Sequence, residues 1–150
     1  MNRPTHVVRH ATTADIPAVV GLLAQLLKSD PEITADAATQ TEGLQALFAS
    51  DAVLFVLEVE MVVVGFVNLQ SIISTGFGRR RGVIQDLVLD AAFTGQEWGE
   101  VLLEALLAEA EKRDFPNITL SINASNAGAL RFLGRKGFCA SSQIPMVYDI

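Results

Sequence analysis

Two glycines and two carboxylates stand where the sequence predicts that a long helix begins. The segment TGQEWGE, residues 94–100, follows a strand-like run, VIQDLVL, and precedes a helix-like run, VLLEALLAEAEKR. Gly95 and Gly99 permit a tight turn and a close approach of the backbone to a ligand, and the free N–H groups of a helix N-terminus suit a pyrophosphate. An ordinary strand-to-helix turn, in which Glu97 and Glu100 stabilise the helix dipole, accounts for the same residues. The segment taken alone favours the ordinary turn.

The apolar pattern around this segment predicts the elements that position it. We expect a strand, two helices, three strands, a helix, a strand, a helix and two strands, which indicates an α/β fold with a mixed sheet. The predicted strands are HVVRH, AVLFVLEV, MVVVGFVNLQSI (paired with the preceding strand as a hairpin), VIQDLVL, NITLSIN and two closing strands around GFCASS and PMVYDI. Four helices are predicted. The first begins after Thr12 or Thr13, the second ends near Ser50, the third covers residues 97–113 and the fourth lies in NAGALRFLGRK. Because the strands on either side of the long helix should be parallel neighbours, a ligand site is expected at the carboxyl end of VIQDLVL.

Length and composition limit the classes of protein. A chain of 150 residues, of which 50% are hydrophobic, is sufficient for one folded domain with its own core. No apolar run reaches the roughly 18 residues of a spanning helix, so we expect a soluble, cytoplasmic protein without a membrane partner. A net charge of −6 argues against nucleic-acid binding. The basic run at residues 79–81 is interpreted as a solvated connector, with grip on an anionic ligand as the alternative. One cysteine and two distant histidines offer no metal spacing, and no metal is expected.

Residues 84–138 read IQDLVLDAAFTGQEWGEVLLEALLAEAEKRDFPNITLSINASNAGALRFLGRKGF. This segment resembles the GCN5-related N-acetyltransferase (GNAT) superfamily. Members of that family show a strand like IEDLVVDP, a loop Q/R-x-x-G-x-G/A, a long helix, a strand, an N-x-x-A-x-x-F-Y segment and a closing GF. The corresponding residues here are Ile84, Asp86, Leu87, Val88, Leu89 and Asp90, then Gly95 and Gly99, then Asn126, Ala129 and Phe132, and finally Gly137 and Phe138. VVRHATTADIPAVVGLL and VVVGFV look like the family's first strand and helix and its third strand, so the resemblance covers nearly the whole chain.

This resemblance implies a fold and a co-substrate. The implied fold is a single GNAT-like α/β acetyltransferase domain over residues 1–150, with a central mixed, mostly antiparallel sheet of about seven strands and about four helices. The implied co-substrate is acetyl-CoA, with its pyrophosphate on the N–H groups of residues 94–99 and its pantetheine beside the backbone of residues 87–89. The implied cofactor-binding residues are Leu87, Val88, Leu89, Thr94, Gly95, Gln96, Glu97, Trp98, Gly99, Glu100, Asn126 and Phe132.

Three of these residues have specific expected roles. Asn126 would meet the pantetheine arm, which is compatible with a second role as a helix N-cap. Phe132 would form a wall of the cofactor cleft. Trp98 would either cover a face of the cofactor or anchor the helix on the sheet, and we favour the anchor.

Four positions depart from the family pattern. Thr94 stands where the family usually has Arg or Gln, and Glu97 stands where it often has Gly. A charge-assisted contact is thereby lost and a carboxylate is placed beside a pyrophosphate, so weaker CoA binding is expected. Leu133 replaces a Tyr that protonates the leaving thiolate, and Gln85 replaces a Glu that serves as a base; neither side chain titrates.

No catalytic residue is assigned from the sequence, and two candidates remain. Asp86 is a candidate base, although strand alternation places it on the opposite face from Gln85. Tyr148 is a candidate acid, although it is more simply a packed aromatic residue of the last strand. The reaction can also proceed when backbone groups polarise the thioester carbonyl and water carries the proton, in which case the chemistry rests on positioning.

Two hypotheses of function follow from the resemblance and the departures. The first is an N-acetyltransferase that moves the acetyl group of acetyl-CoA to a primary amine of a small molecule or peptide by direct attack. A cationic acceptor is suggested by Asp30, Glu32 and Asp36 after the first helix, although a solvated acidic loop explains them equally well. The second is a catalytically impaired binding or regulatory module with weak or no CoA binding. A mean hydropathy of +0.36 further predicts a hydrophobic surface buried in a homodimer.

Overall fold

The computed structural model describes residues 3–150, which contain four α-helices and five strands. The strands are β1 His6–His10, β2 Val53–Val59, β3 Val62–Ser74, β4 Arg79–Leu89 and β5 Ile118–Leu120. The helices are α1 Ile16–Leu27, α2 Ala37–Phe48, α3 Trp98–Lys112 and α4 Ala127–Arg135, with short 3-10 turns at Thr13–Asp15 and Ala91–Phe93. The four predicted helices are therefore confirmed. The chain forms two compact units, Met1–Thr119 and Leu120–Ile150.

The five strands form one sheet in the order β1-β2-β3-β4-β5. The first four strands pair antiparallel with their neighbours, and the sheet as a whole is mixed. The predicted adjacency of the strands before and after α3 is confirmed, because β5 lies beside β4. The expected count of about seven strands is wrong, because the sheet has five.

The two missing strands are those predicted at the end of the chain. A glycine with φ +96°, Gly137, follows α4, and residues 138–150 form neither helix nor strand. Ile144, Met146 and Tyr148 in this segment are largely exposed. The pattern PMVYDI expresses a preference for extended backbone, whereas a strand also needs a neighbouring edge that accepts its hydrogen bonds. Composition therefore predicted extended backbone here but could not supply a pairing partner.

The hairpin of β2 and β3 turns at Glu60 and Met61. Both residues have left-handed backbone, with φ 49° and 66°, which a two-residue hairpin turn requires and which Asn or Gly usually supplies. The Glu60 N–H donates to the Thr5 carbonyl at 2.8 Å, and the Thr5 N–H donates to the Glu60 carboxylate at 3.0 Å. These two bonds tie the turn to the chain before β1 and explain how it forms without an Asn-Gly pair.

The three consecutive arginines begin β4. Arg79, Arg80 and Arg81 pair with residues 72–74 of β3, so their prediction as a loop connector is wrong. Consecutive charged residues hide the alternation by which a half-buried strand is recognised in a sequence. This end of the hairpin is largely exposed, so charged side chains are tolerated on both of its faces.

The core occupies both faces of the sheet. On one face, α1 and α2 pack against the strands in a cluster of Val19, Leu22, Leu23, Leu44, Leu54, Val56, Phe66 and Val88. From the other face, α3 contributes the fully buried Leu102, Leu103 and Leu106. Gly65 of β3 permits this approach, because a Cβ there would lie 3.3 Å from Leu102 Cδ2. Successive strand residues face opposite sides, which places Gly65 toward α3 and Phe66 toward α1.

None of the helices within residues 3–150 combines the length and the apolar character of a membrane span.

Candidate active site

The turn between β4 and α3 contains most of the residues expected to bind the cofactor. It begins after Leu89, and α3 starts at Trp98, one residue later than the sequence predicts. Gly95 has φ +76°, and no heavy atom lies within 4 Å of the position that a Cβ would take. Its predicted turning role is confirmed. Gly99 lies inside the first turn of α3 and is not among the glycines with positive φ, so its predicted turning role is wrong.

Glu97 is the N-cap residue of α3, and its carboxylate forms an ion pair with the Arg3 guanidinium. Both side chains are exposed, Glu97 at 71%, so the pair adds little to the free energy of unfolding. It does alter the charge of the turn, because the guanidinium offsets the carboxylate in the loop that is expected to bind the pyrophosphate. The repulsion expected from Glu97 is reduced accordingly.

Trp98 anchors the first turn of α3. Its side chain is 4% exposed, and its ring meets the His6 ring of β1 edge-on with 5.1 Å between the centroids. The indole N–H donates to Gln96 Oε1 at 3.1 Å, and the Arg3 guanidinium lies 5.7 Å from the indole centroid. These contacts support the anchoring interpretation of Trp98.

The N-terminus of α3 offers backbone donors to an anion. The first intrahelical bond of the helix runs from the Val101 N–H to the Glu97 carbonyl at 3.1 Å. The N–H groups of the turn before that bond lie outside the helical ladder, as at every helix N-terminus, and they carry the positive end of the helix dipole. Together with the open space at Gly95, this arrangement fits a pyrophosphate.

Gln25 of α1 fixes the point where β4 ends. Its Nε2 donates to Asp90 Oδ2 at 3.1 Å, and the Ala91 N–H donates to Gln25 Oε1 at 2.9 Å. Asp90 Oδ1 also accepts the Ala92 N–H at 2.9 Å, and this bond, followed by that from Gln25, lowers the pKa of Asp90. The sequence matched Asp90 to the family motif, but its partner lies 65 residues earlier and only the fold brings the two together.

A β-bulge lies in β4 just before residues 87–89. Asn68 of β3 pairs with Asp86, whereas Leu69 pairs with Ile84, so Gln85 is an extra residue in β4. A bulge leaves its extra residue outside the regular ladder and bends the strand. The backbone of β4 is therefore irregular at the start of the segment expected to accompany the pantetheine.

Asp86 forms a hydrogen-bonded pair with a buried asparagine that the sequence analysis did not single out. Asn68 is 2% exposed, and its Nδ2 donates to Asp86 Oδ2 at 3.0 Å. Asn68 Oδ1 has no hydrogen-bond partner within residues 3–150, and an unpaired buried acceptor costs about 1–3 kcal/mol. Burial raises the pKa of Asp86, and the bond from Asn68 offsets part of the rise. The available sequence signal was one amide inside the apolar run VVVGFVNL.

The remaining predicted site residues lie in the second compact unit. Asn126 Oδ1 accepts the Ala129 N–H at 3.1 Å, so its N-cap role is confirmed. Phe132 is half-buried on α4. Tyr148 is 91% exposed, and its prediction as a packed strand aromatic is wrong because no strand forms there.

The acidic loop between α1 and α2 is partly explained by local structure. Asp36 is the N-cap of α2 and accepts the Thr39 hydroxyl at 2.6 Å and the Thr39 N–H at 2.9 Å, which lowers the pKa of Asp36. Asp30 Oδ1 accepts the Glu32 N–H at 2.8 Å. Helix capping therefore explains Asp36 without a role in binding the amine substrate. The Glu32 side chain is exposed.

Known proteins resemble this chain in sequence and in structure. A sequence model of the acetyltransferase (GNAT) family matches residues 22–138. The aminoalkylphosphonate N-acetyltransferase of Salmonella typhimurium is 30% identical over 136 residues, which are 90% of this chain and 86% of that protein.

Two solved structures have a similar fold. A transcriptional regulator from Bacillus halodurans C-125 superposes with a TM-score of 0.85 at 21% identity, over 97% of this chain and 100% of that one. An aminoglycoside N-acetyltransferase in complex with CoA superposes with a TM-score of 0.82 at 12% identity, over 99% and 97% of the two chains. The solved structures establish the fold, and the sequence match establishes the family. This chain is therefore an acetyltransferase of the acetyltransferase (GNAT) family.

Proposed function

We propose that the protein works as a single acetyltransferase domain that moves an acetyl group from acetyl-CoA to a primary amine by direct attack. The observation that carries this proposal is the turn between β4 and α3, where Gly95 leaves open space and the helix N-terminus presents N–H donors. Family membership supports acetyl-CoA as the acyl donor. The ion pair of Glu97 with Arg3 removes part of the electrostatic objection to that donor.

The proposed contacts divide between the two ends of acetyl-CoA. Residues 94–99 would hold the pyrophosphate through backbone N–H groups. Residues 87–89 would orient the pantetheine through the backbone of β4, where the bulge at Gln85 interrupts the regular ladder. The pantetheine contacts that the resemblance implies for Asn126 and Phe132 stay predictions.

The reaction needs a proton acceptor. Acetyl-CoA supplies an activated thioester; the amine nitrogen bonds to the acyl carbon, the carbon–sulfur bond breaks and the nitrogen loses a proton. Asp86 is the proposed recipient, because burial gives its carboxylate a raised pKa and hence a greater affinity for that proton. Leu133 and Gln85 do not titrate, so solvent is left to protonate the thiolate.

The acceptor is proposed to be a small primary amine. The relative from Salmonella typhimurium is named for aminoalkylphosphonates, which makes short amines bearing an anionic group the first class to test. The carboxylates Asp30 and Glu32 of the acidic loop make polycationic amines the second class to test. A panel containing aminoalkylphosphonates, polyamines and aminoglycosides separates these classes.

The test combines acetyl-CoA binding with thiol release. Gly95→Asp introduces a residue type that tolerates left-handed backbone, and it adds a carboxylate to the proposed pyrophosphate cradle. The matched control is Gly78→Asp, because Gly78 has φ +67° and equally open surroundings in the β3–β4 turn. We expect Gly95→Asp to weaken acetyl-CoA binding at least tenfold by calorimetry and Gly78→Asp to change it less than twofold. Equal effects of the two variants would refute the cradle.

The second hypothesis, a module without turnover, has less support because the sequence relative is named as an N-acetyltransferase. Weak or absent acetyl-CoA binding, with no thiol release in the presence of any amine, would favour it. The predicted homodimer and the cytoplasmic location stay predictions. Light scattering at micromolar protein concentration tests the dimer, and a monomer would contradict it.

A further inference from the structure

β3 carries one buried amide within an otherwise apolar stretch. Asn68 lies between Val67 and Leu69, and all three residues are buried. Strand alternation puts Asn68 on the same face as Phe66, which packs against α1 and α2. An apolar side chain of similar size would fill this place without an unpaired Oδ1. Core packing alone therefore does not account for the asparagine.

The amide is used to hold a carboxylate. Its Nδ2 donates to Asp86 Oδ2 at 3.0 Å, and no other side chain within residues 3–150 donates a hydrogen bond to Asp86. Asp86 directly follows the bulge residue Gln85 and directly precedes residues 87–89. The single hydrogen bond thus fixes a carboxylate at the start of the segment proposed to accompany the pantetheine.

We propose that Asn68 is a positioning residue that holds the Asp86 carboxylate in the orientation that accepts the proton lost by the attacking amine. This proposal rests on the proposed function. In the step, the bond between the amine nitrogen and the acyl carbon forms, the carbon–sulfur bond breaks with its electron pair on sulfur, and the proton passes to a carboxylate oxygen of Asp86. Burial raises the pKa of Asp86 and strengthens it as a base, while the hydrogen bond from Asn68 favours its ionised form.

Kinetics of three variants test the proposal. Asn68→Leu removes the donor at similar volume, Asp86→Asn removes the base, and the third variant combines both. We expect Asp86→Asn to lower kcat at least about 100-fold, the range typical of a lost general base. Asn68→Leu should lower kcat at least tenfold, leave the KM for acetyl-CoA within twofold and move the acid limb of the pH profile to higher pH. The double variant should match Asp86→Asn, because both changes act through one carboxylate.

Two further variants separate positioning from packing. Leu69→Val removes a methylene group from the adjacent core residue on the other face, and its acid limb should stay where the wild type has it. Asn68→Ser keeps a hydroxyl donor, so it should recover part of the kcat that Asn68→Leu loses. Asn68→Ser also keeps the test decisive if the leucine variant does not fold.

The outcomes distinguish this proposal from the proposed function. Absence of thiol release by the wild type with every amine would refute the function and the positioning role together. Turnover by the wild type with an unchanged kcat and acid limb in Asn68→Leu would refute the positioning role alone, as would equal changes in Asn68→Leu and Leu69→Val. Carbon-13 NMR of Asp86 gives a readout that needs no turnover, and an unchanged pKa in Asn68→Leu would also overturn the proposal.

Discussion

Asp15→Asn removes the charge at the centre of an ion cluster at the start of α1. Asp15 is 7% exposed, and the Arg9 guanidinium donates to its two carboxylate oxygens at 2.8 and 2.9 Å. Arg9 also donates to Glu58 at 2.9 Å, and the Thr12 N–H donates to Asp15 at 2.8 Å. Asparagine preserves the shape of the side chain but turns an acceptor into a donor that faces the guanidinium.

The magnitude follows from the burial of the two partners. Breaking a buried ion pair by removing one partner costs about 3–5 kcal/mol. The Arg9 side chain is about one-third exposed and keeps its bond to Glu58, so water and that carboxylate replace part of the loss. We therefore expect Asp15→Asn to lower the free energy of unfolding by about 2–3 kcal/mol at pH 7.

The loss should depend on pH. The Arg9 guanidinium holds the pKa of Asp15 below its ordinary value. For a carboxyl group with a depressed folded-state pKa, the stabilisation is complete above the unfolded-state pKa of about 3.9 and disappears as the pH falls through the folded-state value. The difference between wild type and Asp15→Asn should be constant from pH 7 to pH 5 and should shrink below about pH 4.

Urea unfolding at pH 7, 5 and 3, followed by the fluorescence of the single tryptophan, Trp98, measures this difference. Glu97→Gln is the control, because its ion pair with Arg3 is exposed and should contribute less than about 1 kcal/mol. A loss in Asp15→Asn no larger than that of the control, or a difference that persists unchanged at pH 3, would refute the reasoning.

Three other substitutions test packing by urea unfolding. Gly82→Ala places a Cβ 3.0 Å from Phe115 Cδ2 and 3.1 Å from Leu69 Cδ1, so we expect a loss of about 1–3 kcal/mol. Gly134→Ala has nothing within 4 Å and lies inside α4, so it should stabilise by about 0.5–1 kcal/mol, and the reverse order would contradict the packing argument. Leu106→Ala empties a fully buried position of α3 and should cost about 2–5 kcal/mol; a loss under about 1 kcal/mol would mean that this face of α3 is loosely packed.

Local patterns predicted the elements well where the pattern itself determines the element. The four helices have apolar residues at helical spacing, and β2 and β3 are dense in Val and Phe, so their positions followed from the sequence. The prediction of two closing strands is wrong because strand pairing depends on the whole fold and not on residues 138–150 alone. The prediction of a loop at the arginines of β4 is wrong for the opposite reason. Pairing with β3 forms a strand there that the sequence pattern did not show.

Residue type predicted one part of the candidate site and register determined another. Gly95 could be identified as a turn residue because glycine is suited to left-handed backbone. The bulge at Gln85 and the bond from Asn68 to Asp86 depend on how β3 and β4 align, and no local pattern encodes that alignment. In a regular strand, alternation would place the Asp86 and Gln85 side chains on opposite faces of the sheet. The bulge at Gln85 interrupts the alternation, so this rule does not apply to the two residues.

The contact of Arg3 with Glu97 bears on how family membership is judged from short motifs. A motif comparison limited to residues 94–100 counts the carboxylate as a defect, because it takes in only the seven residues of that window. The electric field at the loop is instead a sum over every charge that the fold assembles there, including one contributed from 94 positions earlier. A chain with an acidic residue in this loop should therefore not be set aside as a degenerate member until its opposite end has been examined for a compensating cation.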